Sequence, residues 1–265
     1  MTQIQLLVAS VNQNTELLPQ KMNIETDAII INQSGHYDYK EFEYSKENSA
    51  DKYMVRAFDC DEKGVGLSRN MALLRADHEY VQFCDEDIVL DDGYSRLVEN
   101  EMAYNPEADI IMFNVQAAPG RETYHNNEFG RVTRLNYGRY PAYAIVARRE
   151  SLHKSGVTFS LLFGGGAKYS NGEDSLFLHD CLEKKLRIYK SPISIGHEVS
   201  LRPSTWFEGY TDKFFYDRGV LYKYLYGRLA AVMGFRFLFK NRKTMCKDIP
   251  FDRAFSLLRK GIKER

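Results

Sequence analysis

Residues 80–87 read YVQFCDED: an apolar run from Tyr80 to Cys84 that passes without a break into Asp85, Glu86 and Asp87. An uncharged run of that length, rich in aromatic and β-branched side chains, reads as a strand buried on both faces. Such strands belong to parallel sheets covered by helices, and their carboxyl ends present the groups that meet ligands. Two carboxylates two positions apart on an extended chain project the same way, so Asp85 and Asp87 are able to share a hard cation such as Mg2+ or Mn2+, which in turn grips a diphosphate. An acidic triplet after a strand is also ordinary surface decoration, and the flanking sequence has to decide.

Outward from this stretch, residues 4–10 (IQLLVAS) and 27–32 (DAIIIN) are further apolar runs with polar ends, at Ser10 and Asn12 and at Asn32. In residues 64–77 (GVGLSRNMALLRAD) the period changes: Leu67, Met71 and Leu74 share a helical stripe, with Ser68 as a plausible N-cap and a helix start near Leu67. Residues 108–115 and 142–147 read as strands, glycines 164–166 as a loop, 173–185 (EDSLFLHDCLEKK) as a helix and 186–195 as extended chain. Strands and helices alternate, which predicts an α/β fold with a central, mostly parallel sheet and helices on both faces. The division is residues 1–209, split at about residue 100, followed by a helical appendage over 210–265.

The chain of 265 residues has 36 basic and 36 acidic side chains, so overall charge gives no reason to expect nucleic acid as a partner. The distribution is uneven. Residues 218–265 hold 13 basic and 3 acidic side chains, a basic tail on an acidic body. No uncharged run reaches the length of a membrane-spanning helix and no export signal is visible, so a cytoplasmic protein is expected. Cys60, Cys84, Cys181 and Cys246 share no metal or redox spacing and are expected to be packing residues. Gly64-Val65-Gly66 begins like a dinucleotide fingerprint, but Arg69 stands in the third glycine's place. In residues 85–93, Val89 and Leu90 stand where a calcium loop needs a ligand and a glycine.

Taken in order, the polar-ended strands, GVGLSRNMAL, VQFCDEDIVL and the NGEDSLF that begins at Asn171 resemble the family 2 glycosyltransferases with the GT-A nucleotide-sugar fold, of the bacterial capsule, exopolysaccharide and lipopolysaccharide type. The resemblance covers about residues 3–200 and implies a nucleotide-binding half over 1–100 and an acceptor-binding half over 101–209. It implies that Asp85 and Asp87 form the DxD motif, with Asp87 the direct ligand of Mn2+ or Mg2+ and Asp85 nearer the ribose or sharing the metal. Ser10, Asn12, Asn32, Arg69, Asn70 and Glu86 would line the nucleotide sugar. Asp174, with Glu173 beside it, would be the base that takes the acceptor hydroxyl's proton. His197 would be a third metal ligand, while Gly165, Gly166 and Trp206 would border the acceptor.

Each assignment has a plain structural alternative. Arg69 is able to pair with Asp59 or Asp61 on the surface. Glu173 and Asp174 suit any helix N-terminus. A lone histidine is commonly structural, and Trp206 is as well suited to packing as to stacking on a sugar. The sequence departs from the family at Asn32-Gln33-Ser34-Gly35, where amides replace an acidic pair. The stretch before Arg69 is short and hydrophilic, so a helix of the nucleotide half is expected to be reduced. The tail, aromatic and basic, either packs on the domain or attaches to an anionic membrane; Leu221, Leu225, Val232 and Phe239 fall near one stripe, but Arg228 falls on it too, so its amphipathic character is weak. The expected function is an inverting transfer from a nucleotide sugar, UDP-linked, to a glycan or lipid-linked acceptor. A nucleotidyltransferase or a non-catalytic nucleotide-binding scaffold stands as the alternative.

Overall fold

The computed structural model describes residues 3–46, 50–199 and 209–264. Its elements are β1 (Ile4–Val11), α1 (Leu18–Lys21), β2 (Asp27–Gln33), β3 (Asp38–Tyr44), β4 (Tyr53–Cys60), α2 (Val65–Arg75), β5 (Tyr80–Asp85), β6 (Ile88–Leu90), α3 (Tyr94–Tyr104), β7 (Ile110–Gln116), β8 (Gly130–Arg131), β9 (Ile145–Arg148), α4 (Arg149–Ser155), α5 (Glu173–Glu183), β10 (Ile188–Glu198), α6 (Asp212–Tyr226), α7 (Ala230–Met245) and α8 (Phe251–Ile262). Among the described residues the strands form one sheet in the order β3-β4-β2-β1-β5-β9-β7-β10-β6, with β8 paired to β10. β4, β2, β1 and β5 run parallel.

Both faces of this sheet are covered, which is why its central strands are apolar without alternation. Leu6, Val8, Ile30 and Phe113 pack with Leu18 of α1 and with Tyr94, Val98 and Met102 of α3. Leu7, Ile29, Ile31, Val81 and Phe83 face the other way, onto Ala72 and Leu73 of α2 and Phe177, Leu178 and Cys181 of α5. The α/β class read from the sequence is the class observed. All four cysteines are free; Cys60, Cys84 and Cys181 are buried.

Three local expectations are corrected. α2 starts at Val65 and not Leu67, so Ser68 lies inside its first turn. Residues 142–144 form a 3-10 turn, and the strand there is only Ile145–Arg148. The stretch before α2, where a reduced helix was expected, holds β3 and β4, with β3 antiparallel on the sheet's edge, and α1 between β1 and β2 has four residues. The tail's stripe does not exist as one face. A 3-10 turn over Gly227–Leu229 resets the helical phase, so Leu221 and Leu225 are buried while Val232 and Phe239 are exposed.

α6 joins the main core through Val220, Leu221, Tyr222 and Leu225. Its crossing with α8 depends on two glycines. A Cβ on Gly219 would stand 2.0 Å from the Leu258 carbonyl oxygen, and one on Gly261 2.1 Å from that of Tyr216, both backbone atoms that cannot swing aside. Gly219→Ala is therefore expected to cost about 3 kcal/mol, a fall in Tm of roughly 6–12 °C in a thermal melt. A variant melting with the parent would show that the two helices do not approach this closely.

Candidate active site

The parallel strands end together. Ser10 is in register with Asn32, Asn32 with Asp59, and Ala9 with Asp85, so the last residues of β1, β2, β4 and β5 make one line across the sheet's edge. α2 is pinned against that line. Gln33 Oε1 accepts the Gly64 N–H at 2.9 Å, Gln33 Nε2 donates to Ser68 Oγ at 3.1 Å, and the Gly165 carbonyl accepts the Val65 N–H at 2.9 Å. Gly64 holds φ 133°, a conformation side chains resist.

One turn into α2, Arg69 is 4% exposed and is the hub of the site. Its Nη2 donates to both oxygens of Asp85, at 2.9 and 3.3 Å, and its Nη1 donates to Glu173 Oε1 at 3.2 Å and Asp174 Oδ1 at 2.9 Å. One guanidinium thus gathers three carboxylates from two segments far apart in sequence. Burial opposes its charge, but Asp85, Asp174 and Glu173 together hold it firmly protonated. The carboxylates remain in excess. Burial and then the neighbouring Glu173 push Asp174 up to about 8, against the pull of Arg69 and of the Ala142 amide. Burial, then Asp85 and Glu198, push Asp87 up to about 6.

Asp85 ends β5, and Asp87 is the second residue of the two-residue turn that follows, so the pair does not lie on one extended chain. Glu198 comes to the same place from β10. Its side chain is 4% exposed, accepts the Ala118 N–H at 3.0 Å and pairs with Arg121. His197, expected as a third metal ligand, has a side chain 47% exposed with Nδ1 3.7 Å from Asp91 Oδ1. Neighbours on a strand point to opposite faces, and here the inward one is the glutamate. Tyr143 completes the surroundings; burial, Tyr124, Glu198, Asp85 and Asp174 all raise its hydroxyl pKa.

Several residues expected to face the nucleotide make hydrogen bonds within the protein. Ser10 and Asn32 are 1% and 2% exposed. Asn32 Oδ1 accepts from Ser10 Oγ and the Gln13 N–H, both at 3.1 Å, while its Nδ2 donates to the Gln13 carbonyl at 3.1 Å and Asp59 Oδ1 at 2.6 Å, leaving nothing for a base edge. Glu86 accepts from the Val11 and Gln13 N–H groups, backbone and side chain respectively, and so holds the end of β1. Asn70 makes a two-way bond with the Phe159 backbone, at 2.8 and 2.9 Å. Arg69 points into the carboxylates and is not paired to Asp59 or Asp61. Asn12 is exposed with φ 51°.

Gly165 is buried behind α2 and Gly166 is exposed beside Gly64. Trp206 lies outside the described residues. The carboxylate missing from the end of β2 is present one strand over, as Asp59. Only strand register could have revealed it, and β4 carried no clear signal.

Among the described residues no three His, Cys, Asp or Glu side chains close into a ready metal cage. The donors present are hard oxygens with unbalanced negative charge. They fit a cation that takes one or two carboxylates from the protein and completes its shell with phosphate and water, as Mg2+ does.

No protein-family model matches the chain, and no curated protein sequence does. Solved structures do. The S. aureus TarS fragment 1–349 in complex with UDP-GlcNAc aligns with TM-score 0.60 at 16% identity, over 94% of this chain and 74% of that one. The same fragment with UDP aligns with TM-score 0.58 at 16% identity, over the same shares. A longer TarS structure aligns with TM-score 0.56 at 15% identity, over 97% of this chain and 45% of that one. At such identities the likeness shows the fold, a mixed α/β glycosyltransferase fold.

Proposed function

We propose that this chain is an inverting glycosyltransferase that moves a hexosyl group from a UDP-linked sugar to a hydroxyl of a glycan or lipid-linked acceptor, in the assembly of cell-surface polysaccharide. The observation that carries the proposal is the convergence of Asp85 and Asp174 on the buried Arg69, at the carboxyl edge of a sheet whose fold is shared with TarS. TarS crystals hold UDP-GlcNAc and UDP, which supports a uridine diphosphate donor here.

In this reaction Asp174 takes the acceptor's proton as the hydroxyl oxygen bonds to the anomeric carbon, and the bond from that carbon to the diphosphate breaks on the opposite face. Arg69 fixes Asp174 and Asp85 relative to one another, so the base and the diphosphate end of the site keep their spacing. Glu173 is held by Arg69 and the Gly172 N–H, and steadies the first turn of α5 behind the base. Asp87, with Asp85, would hold Mg2+ or Mn2+, which supplies charge neutralisation for the leaving diphosphate.

UDP with Mn2+ is expected to raise Tm by roughly 5–10 °C at a hundred times its Kd, more than GDP, CDP or dTDP. Asp87→Ala is expected to remove the part of the shift that needs the cation. Equal UDP shifts with and without Mn2+ would count against the metal, and no shift with any diphosphate would count against both donor and metal.

A further inference from the structure

The outer face of α7 has no counterpart in the transfer chemistry. Ala230, Gly234 and Leu238 seat the helix inward. Opposite them, Val232, Phe235 and Phe239 are 64%, 46% and 52% exposed, with Leu229 at 63% just before the helix. Phe235 stacks on Phe239 at 6.1 Å and meets Phe251 and Phe255 of α8 at 5.7 and 5.5 Å, so four phenylalanines make one continuous aromatic ridge over two helices.

The ridge is rimmed by cations. Residues 228–247 contain Arg228, Arg236, Lys240, Arg242, Lys243 and Lys247 and no acidic side chain. Arg259 and Lys260 of α8, and Lys263 just after it, line a groove beside Phe251 and Phe255, with Asp252 its one acid. No described helix is long and apolar enough to cross a membrane. Exposed aromatics set among cations suit the boundary of an anionic bilayer, where rings enter the headgroup region and Lys and Arg meet lipid phosphate.

We infer that the α7–α8 face docks the protein flat on an anionic membrane surface, lying on it without spanning it. Charge complementarity selects this occupant: a second copy of the chain would bring six like cations against six. The inference goes beyond sugar transfer, and vesicle binding is read without donor or acceptor, so either can fail alone.

The full chain is expected to float with vesicles of phosphatidylcholine and phosphatidylglycerol and not with phosphatidylcholine alone. Each cation near such a surface is worth about a fivefold change in partitioning, so Arg236→Ala with Lys240→Ala should weaken binding about 25-fold. Val232→Ser with Phe239→Ser, at exposed sites that leave the fold intact by thermal melt, should weaken it at least tenfold. Equal binding to neutral vesicles, no binding at all, or binding untouched by both pairs would overturn the inference. So would a dimer, seen by light scattering, that the serine pair converts to monomer, because a second copy would then cover the face.

Discussion

Asp174→Asn is expected to abolish sugar transfer and, in the same molecule, to raise the melting temperature. Loss of the base removes about 10²–10⁴ in rate. The stability effect follows from the carboxylate excess around Arg69. Asp174 has a folded pKa pushed up to about 8 from the ordinary 3.8, so the folded state favours its protonated form. As pH rises from about 4 to 8, the folded state must give up a proton it prefers to keep, and stability falls. Asparagine has no charge to lose. The variant should match the parent near pH 4, gain on it steadily to pH 8 and stay ahead above that, by a few degrees for about 1 kcal/mol.

Arg69 does not lose its partners, because Asp85 and Glu173 remain. A merely structural ion pair would behave oppositely, with Tm dropping on substitution. For the free parent enzyme, kcat/KM should climb as pH rises toward 8, since only the ionised base accepts a proton. A cation at Asp85 and Asp87 should draw that midpoint down. Transfer by Asp174→Asn at the parent's rate would remove Asp174 from the chemistry.

What the sequence showed and what it hid divide along a physical line. Strands buried on both faces announce themselves by apolar runs, so β1, β2 and β5 and the acids at the end of β5 were legible, while β4, whose apolar residues alternate with polar ones, was not. β3, DYKEFEY, is an exposed edge strand that buries almost nothing, and with no face to protect it shows no apolar period. Glu198 was missed because His197 beside it was chosen by residue type from the family resemblance; β10 also slips register twice, between Lys190 and Ser194 and between Ser194 and His197, so strict alternation does not hold along it.

The pairings of Asn32 with Asp59 and of Arg69 with Glu173 are long-range facts that local pattern does not encode. Arg69 shows the difference most clearly. Its place in the SRN segment marked it as functional, but its length and burial send its guanidinium into three acids and not toward a ligand. The tail offered a comparable ambiguity. α6 is tied to the site: a Cβ on Gly172, at the start of α5, would stand 2.5 Å from the Leu221 side chain. Removing residues 218–265 would thus loosen the packing behind Asp174 as well as delete α7 and α8, and only point changes separate the two.

Arg69→Met should be the most destabilising single change in the site. Methionine fills similar space and keeps an apolar stem over Phe159, whose ring centre lies 5.3 Å from the guanidinium carbon, but it leaves Asp85, Glu173 and Asp174 with no cation between them. Breaking a buried ion pair from one side costs about 3–5 kcal/mol, a fall in Tm of roughly 6–20 °C. Three features mark carboxylate repulsion as the cause. The loss should shrink as pH falls, because without Arg69 the carboxyl of Asp174 holds its proton more tightly than in the parent. Adding Asp174→Asn to Arg69→Met should recover part of the stability, an offset that independent sites do not show. Millimolar Mn2+ should stabilise the variant more than the parent, because freed oxygens of Asp85 become available to the ion. If Arg69→Met melts with the parent, or the double variant only adds the two losses, then Arg69 does not hold the acids in place, and the spacing between base and diphosphate end must come from the backbone alone.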